Sequence, residues 1–241
     1  MIYGGILAGG KGARMGRTEM PKQFLNLGNR PMIIHTIEQF LISNKIDKVI
    51  VATNENWRSY TEDIINKYYP ENDKIVIING GTTRNETIAN ICDFAEKNSP
   101  GEENIVVTHD AVRPFITQRI INDNIEAILE EGIDAVDTVI PASDTIVEAK
   151  KEEMITNIPI RDYMYQGQTP QTFRTNDFIE NYNSLTEDEK SILSDAIKIY
   201  VLKNKNAKIV RGETFNMKVT STFDLKLANA IVNMQGVEKD D

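Results

Sequence analysis

The sequence is poor in the residues that many enzymes use for chemistry. A single cysteine, Cys92, excludes an internal disulfide and any cysteine-based zinc site. Its neighbours Ile88, Ile91 and Ala95 recur at helical spacing, which predicts a buried, inert thiol. Only two histidines occur, His35 among isoleucines and His109 at the end of an apolar run. There is no Walker loop closing on Gly-Lys-Ser/Thr, no Gly-x-Ser-x-Gly elbow and no Cys/His pair. Chemistry without a protein nucleophile is the expectation. No apolar run approaches the ~20 residues needed to cross a bilayer, and the amino terminus lacks a signal-peptide layout, so a cytoplasmic setting without membrane association is expected. A net charge of −9 argues against nucleic acid as partner, because such binding is driven by phosphate neutralisation.

Against that acidic background, the first 22 residues carry four cations (Lys11, Arg14, Arg17, Lys22) and one acid, Glu19. The apolar run Ile2–Ala8 breaks into Gly9-Gly10-Lys11-Gly12, as a first strand opening into a phosphate-holding loop does. The third glycine of a dinucleotide fingerprint is missing; Arg14 and Met15 stand in its region.

Strand and helix patterns then alternate. Lys48–Thr53 is a continuous β-branched run, as in a strand buried on both faces. Further strands are expected at Lys74–Ile78, Asn104–Thr108, Asp134–Ile140 and Lys208–Val210. Helices are expected from Pro31, over Trp57–Tyr69, from Thr83 to about Asn98, from Thr117 to about Glu131, from Thr186 to about Lys198 and over Phe223–Met234. Thr83…Glu86 and Thr186…Glu189 read as capping boxes. The fold expected is α/β: a Rossmann-like, mostly parallel sheet with helices on both faces, in one domain over residues 1–241. Residues 141–172 break the rhythm and read as a projecting β-hairpin arm. Tyr163, Met164, Tyr165 and Phe173 give it exposed-looking apolar surface, which suggests a partner subunit.

The polar residues that stand out follow the expected strands, on the one edge where such sheets bind ligands. They are Gly9–Lys22, Gly80–Thr87, His109–Arg113, Arg161, Gln168–Gln171 and Lys218. Gly80, Gly81 and the helix start at Thr83 suit close backbone contact with a flat base or an anion. Asp110 is placed to hold a hydrated Mg²⁺, which takes one or two carboxylates plus phosphate oxygens. His109 reads either as a general base or as a structural hydrogen-bonding group. Abundant cations with few bases suit the attack of a phosphate monoester on the α-phosphate of a nucleoside triphosphate. The monoester, with a second pKa near ~6, is already largely dianionic at neutral pH and needs no base.

Leu7-Ala8-Gly9-Gly10 with Arg14, Met15, Pro21, Lys22 and Gln23 resembles the signature of sugar-phosphate nucleotidyltransferases. Gly80-Gly81…Arg84, His109–Pro114, Gln168–Gln171 and Lys218-Val219-Thr220 narrow the resemblance to cytidylyltransferases acting on methylerythritol 4-phosphate and ribitol 5-phosphate. The ribitol branch is the more similar, through the eight-residue step from Arg14 to Lys22 and the motifs Val136–Val139, Tyr165–Gln171 and Ile192–Ala196. Gly4-Gly5 in the first strand is a departure. The resemblance implies CTP as substrate, Mg²⁺, CDP-ribitol for a polymer such as teichoic acid as product, and a homodimer formed through the arm. It implies that Arg14 and Lys22 act at the triphosphate and that Arg161 and Lys218 orient the acceptor phosphate. Leu7, Ala8, Gly9, Gly10 and Gly81, Thr82, Thr83, Arg84, Asn85, Glu86, Thr87 would hold the nucleotide, with Ala111 beside the ribose. Asp110, Arg113 and Thr169 would meet the acceptor, and Asp110 also the metal.

Overall fold

A computed structural model describes residues 1–10, 20–149 and 153–237, with side chains to residue 234. Its centre is a seven-stranded sheet. Along the chain come β1 (Ile2–Ala8), the short pair β2 (Asn26–Leu27) and β3 (Arg30–Pro31), α1 (Met32–Leu41), β4 (Lys48–Thr53), α2 (Arg58–Tyr68) and β5 (Ile75–Asn79). Next are α3 (Arg84–Asn98), β6 (Ile105–Asp110), α4 (Gln118–Ile128) and β7 (Ala135–Pro141). The rest is β8 (Glu148–Ala149), β9 (Ile155–Asn157), β10 (Tyr165–Arg174), α5 (Thr175–Asn183), α6 (Glu187–Ser191), α7 (Ile197–Leu202), β11 (Ala207–Arg211) and α8 (Thr222–Val237). The sheet order is β11-β7-β10-β6-β1-β4-β5, and only β10 runs antiparallel to its neighbours.

Period-two alternation explains the two layers. Ile6, Val49, Val51 and Val107 face α1, α2 and α4, where Ile33, Ile37, Phe40, Ile64 and Ile121 bury against them. Tyr3, Ile50, Val106 and Phe173 face α3, α5 and α7, where Ile88, Ile91, Cys92, Phe178 and Tyr200 pack. Cys92 is fully buried, and burial pushes its thiol up. Gly4 has a packing reason: a Cβ there would lie 2.5 Å from Cδ1 of Phe40, so glycine lets α1 sit down on β1.

Three expectations need correction. Residues from Tyr165 onward are not arm. They form β10, paired with β6 and β7 in the middle of the sheet, so the projecting part spans roughly 142–164. Phe173 is accordingly buried rather than exposed, stacked on Phe178 at 4.8 Å. The helix expected from Thr186 to Lys198 is two helices. The Thr186 capping box starts α6, which stops at Ser191, and the Asp195 carboxylate accepts the Lys198 N–H at the start of α7. The helix after Thr117 ends at Ile128, short of Glu131.

The arm keeps its expected character. β8 and β9 pair antiparallel, and Met154, Ile155, Ile158, Ile160 and Tyr163 are all exposed there. Among the described residues no helix is long and apolar enough to cross a membrane.

Candidate active site

Parallel strands carry their C-terminal ends to one edge, and a cleft of about 840 Å³ opens there. Leu7, Gly9 and Gly10 line it after β1, Asn54 and Glu55 after β4, and Gly80 to Arg84 with Glu86, Thr87 and Asn90 at the start of α3. Asp110 and Val112 close it from β6, and Lys218, Val219 and Thr220 from the segment ahead of α8. Sequence positions 7 and 220 are thus neighbours. Lys22 makes that junction: it sits in a 3-10 turn, is 7% exposed, and its Nζ donates to the Thr220 carbonyl at 2.5 Å. A solvated surface lysine does not describe it.

Asp110 organises the deep wall. Lys218 Nζ lies 3.0 Å from its Oδ2, Arg113 Nε 3.3 Å from the same oxygen, and Arg84 Nε 3.8 Å from Oδ1. Burial would raise this carboxyl, but Arg84, Lys218 and Arg113 together hold it well below the usual carboxylate range. One carboxylate against three cations leaves surplus positive charge at the cleft wall, suited to anionic ligands. Arg84 Nη1 is buried with no partner among the described residues.

His109 is structural. It is fully buried, and burial pushes it down to about 4 against smaller opposing influences. Its Nε2 meets the Arg113 carbonyl at 3.0 Å, an atom that only accepts, so Nε2 carries the proton. Nδ1 is then free to accept from the Thr169 hydroxyl at 2.8 Å, while Thr169 Oγ1 accepts the Asp110 N–H at 3.3 Å. Both ring nitrogens are engaged in holding the loop around Asp110.

The turn before α3 differs from the anion cradle expected. The Gly80 N–H donates to the Thr53 carbonyl at 2.7 Å and the Gly81 N–H to Thr87 Oγ1 at 3.0 Å. The Glu86 carboxylate takes the N–H groups of Thr82 and Thr83 at 2.7 and 3.2 Å, completing the capping box with Thr83. Donors of residues 80–83 are therefore used internally. The turn offers carbonyl oxygens and side chains to a ligand, which suits the amino edge of a base better than a phosphate.

Several expected site residues do not line the cleft. Ala8 and Ala111 are buried behind it: the Ala8 carbonyl accepts from Gln23 Nε2, and Ala111 accepts from Thr36 Oγ1. Asn85 is buried with its Oδ1 unpartnered, and Thr169 and Arg113 stand behind Asp110 rather than at the surface. Arg161 is exposed on a 3-10 turn of the arm and does not line the cleft. Arg14 lies outside the described residues. Sequence reading passed over Asn90 and Asn216. No local pattern marks them, because each acts through contacts made by chain folding.

Comparison with known proteins agrees with this geometry. The sequence profile of the 2-C-methyl-D-erythritol 4-phosphate cytidylyltransferase family, IspD, matches residues 4–234. The 4-diphosphocytidyl-2C-methyl-D-erythritol synthase of Anaerococcus prevotii is 26% identical with a TM-score of 0.79, over 96% of both chains. The Francisella tularensis 2-C-methyl-D-erythritol 4-phosphate cytidylyltransferase is 26% identical with a TM-score of 0.77, over 95% of this chain and 98% of its own. The Thermus thermophilus enzyme of the same name is 25% identical with a TM-score of 0.73, over 97% of this chain and 100% of its own. With its seven-stranded sheet, its cleft after β1 and its cation-ringed Asp110, this chain belongs to the 2-C-methyl-D-erythritol 4-phosphate cytidylyltransferase family and is a CTP-dependent nucleotidyltransferase.

Proposed function

We propose that the protein transfers the cytidylyl group of CTP to the phosphate of a small polyol phosphate, releasing pyrophosphate. The observation that carries this reading is the Asp110 cluster, where a carboxylate held well below the usual range by its neighbours holds Arg84, Arg113 and Lys218 in place beside the nucleotide-sized cleft. An oxygen of the acceptor phosphate attacks the α-phosphorus, the new P–O bond forms, and the bond to the β-phosphate bridging oxygen breaks. Lys22 and Arg14 act on charge at the triphosphate; Lys218 and Arg161 orient the acceptor phosphate. No base is required, which matches the structural role of His109. The carbonyls of Gly80, Gly81 and Thr82 suit the cytosine amino group.

Among the described residues no group of three metal-ligating side chains occurs. Asp110 alone fits the sparse mode of Mg²⁺, one carboxylate with phosphate oxygens completing the shell. Among the described residues its Oδ1 meets only Arg84, at 3.8 Å, whereas Oδ2 is engaged by Lys218 and Arg113. Bound Mg²⁺ would supply charge neutralisation on the triphosphate.

Two acceptors compete. 2-C-methyl-D-erythritol 4-phosphate is supported by the family profile and by the named substrates of the relatives. D-ribitol 5-phosphate, leading to CDP-ribitol, is the second reading, and one observation favours it. The three separated motifs that resemble the ribitol branch meet at one spot. Gln171 Nε2 donates to Asp137 Oδ1 at 3.0 Å, Gly167 lies over the same carboxylate, and Asp195 adds its charge nearby. The exposed apolar arm supports a homodimer, in which Arg161 completes the neighbouring subunit's site. A cytoplasmic setting fits the soluble substrates. Pyrophosphate release with CTP and each acceptor separately decides between the readings. Turnover of neither acceptor, with CTP bound, would leave a nucleotide-binding protein without transfer activity.

A further inference from the structure

Lys218 is carried by a strap, residues 212–220, that has no regular structure and borders the cleft with its last three residues. A strap of this kind positions a catalytic cation only if something fixes its path. The Gly212 N–H holds one end to the Val139 carbonyl at 2.8 Å, and the Val219 N–H holds the other to the Val112 carbonyl at 2.9 Å. Between them, two side chains tie the strap to the irregular stretch of β10. Gln168 Nε2 donates to the Glu213 carbonyl at 2.9 Å, and its Oε1 accepts the Glu213 N–H at 3.3 Å. Asn216, fully buried, donates through Nδ2 to the Thr169 carbonyl at 2.8 Å and to Gln168 Oε1 at 3.3 Å. Its own backbone carbonyl accepts from Arg113 Nη1 at 2.8 Å. A Cβ at residue 212 would fall 2.3 Å from Gln168 Oε1, so glycine is what admits the Gln168 amide under the strap.

We propose that Asn216 and Gln168 are positioning residues for the transfer: they clamp the 212–220 strap to β10 and so set the Lys218 ammonium against Asp110. Neither side chain lines the cleft, and neither carries charge. Their effect is transmitted through Lys218 and Arg113, the cations on Asp110 Oδ2. The Lys22 contact to Thr220 lies at the far end of the strap, beyond the Val219 anchor, and is left in place. The inference rests on the transfer reaction but not on which polyol phosphate accepts.

Steady-state pyrophosphate release tests it, using whichever acceptor the unaltered enzyme turns over. Misplacing a reacting group by about 1 Å costs on the order of 10²-fold. Asn216→Ala is therefore expected to lower kcat/KM for the acceptor by ~10²-fold while the KM for CTP stays within about threefold. Gln168→Leu, which keeps the bulk and removes all three polar contacts, should do the same. The double variant should fall little below the worse single, because both act on one strap. A purely structural role would instead lower Tm and disturb both substrates alike. Acceptor-side kcat/KM within threefold of the unaltered enzyme in either folded variant overturns the proposal, as does a KM for CTP that rises in step. So does a crystal structure of the Asn216→Ala protein with Lys218 still 3.0 Å from Asp110 Oδ2.

Discussion

Lys218 and Arg161 are both read as cations for the acceptor phosphate, yet the two regions that carry them are built in opposite ways. Around Lys218 the chain is closed on itself. Asp110, Arg113, Thr169, His109 and Asn216 are buried or nearly so, and hydrogen bonds run among them from three distant parts of the sequence. Around Arg161 the chain is open. The arm's strands are two and three residues long, and Ile155, Ile158, Ile160 and Tyr163 face outward at 57–73% exposure. Burying one such side chain is worth about 1.5–3 kcal/mol, so an arm that leaves several exposed would gain stability from a docked partner. In the proposed homodimer, one half of the site is finished by the fold of a single chain and the other half by its partner.

The contrast can be broken from either side. The largest effect is expected on the closed side: Lys22→Ala should lower kcat by ~10²–10³-fold, the scale of losing a preorganised donor at developing charge. An unchanged kcat would remove Lys22 from the machinery. On the open side, mixing two inactive proteins sharpens the comparison. If Arg161 acts in the neighbour's site, co-refolded Lys22→Ala and Arg161→Ala chains form heterodimers with one intact site, and activity returns to about a quarter of normal for random pairing. If Arg161 serves its own subunit, the mixture stays as inactive as its parts.

The smallest effect concerns Asp137, at the border between the two regions. Burial and the charge of Asp195 push its carboxyl up to about 6, against the Gln171 hydrogen bond and the charges of Arg84 and Arg113. Below pH ~4 both folded and unfolded chains hold this proton, and nothing is lost. As pH rises through about 6 the folded chain must give up a proton it holds more tightly, and stability falls. Asp137→Asn keeps an acceptor for Gln171 and removes the ionisation. It should therefore unfold at higher denaturant at pH 8, by about 3 kcal/mol at most, and match the parent near pH 4. Equal stability at both pH values would show that Asp137 is ionised at no cost.

Local chemistry explains what was legible beforehand. Lys48–Thr53 reads as a buried strand because β-branched side chains pack on both faces of a pleat, and it is one. Thr83 and Glu86 read as a capping box because both partners lie within one helical turn, and both bonds are present. β10 was hidden for the opposite reason. Gly167, Pro170 and six polar residues make Tyr165–Arg174 look like a loop, and the ladder breaks between Gly167 and Gln171. Only the flanking strands β6 and β7, about 30 to 60 residues away, make it a strand.

The sequence by itself determined the alternating elements, the glycine turn after β1, the two caps and the short supply of bases, all set by neighbours within a few residues. Tertiary structure alone decided that Asp110 would sit under three cations, that His109 would be neutral scaffolding, and that the turn before α3 would show carbonyls instead of N–H groups. Those outcomes depend on desolvation and on charges brought together from opposite ends of the chain. Neither quantity exists until the sheet has assembled.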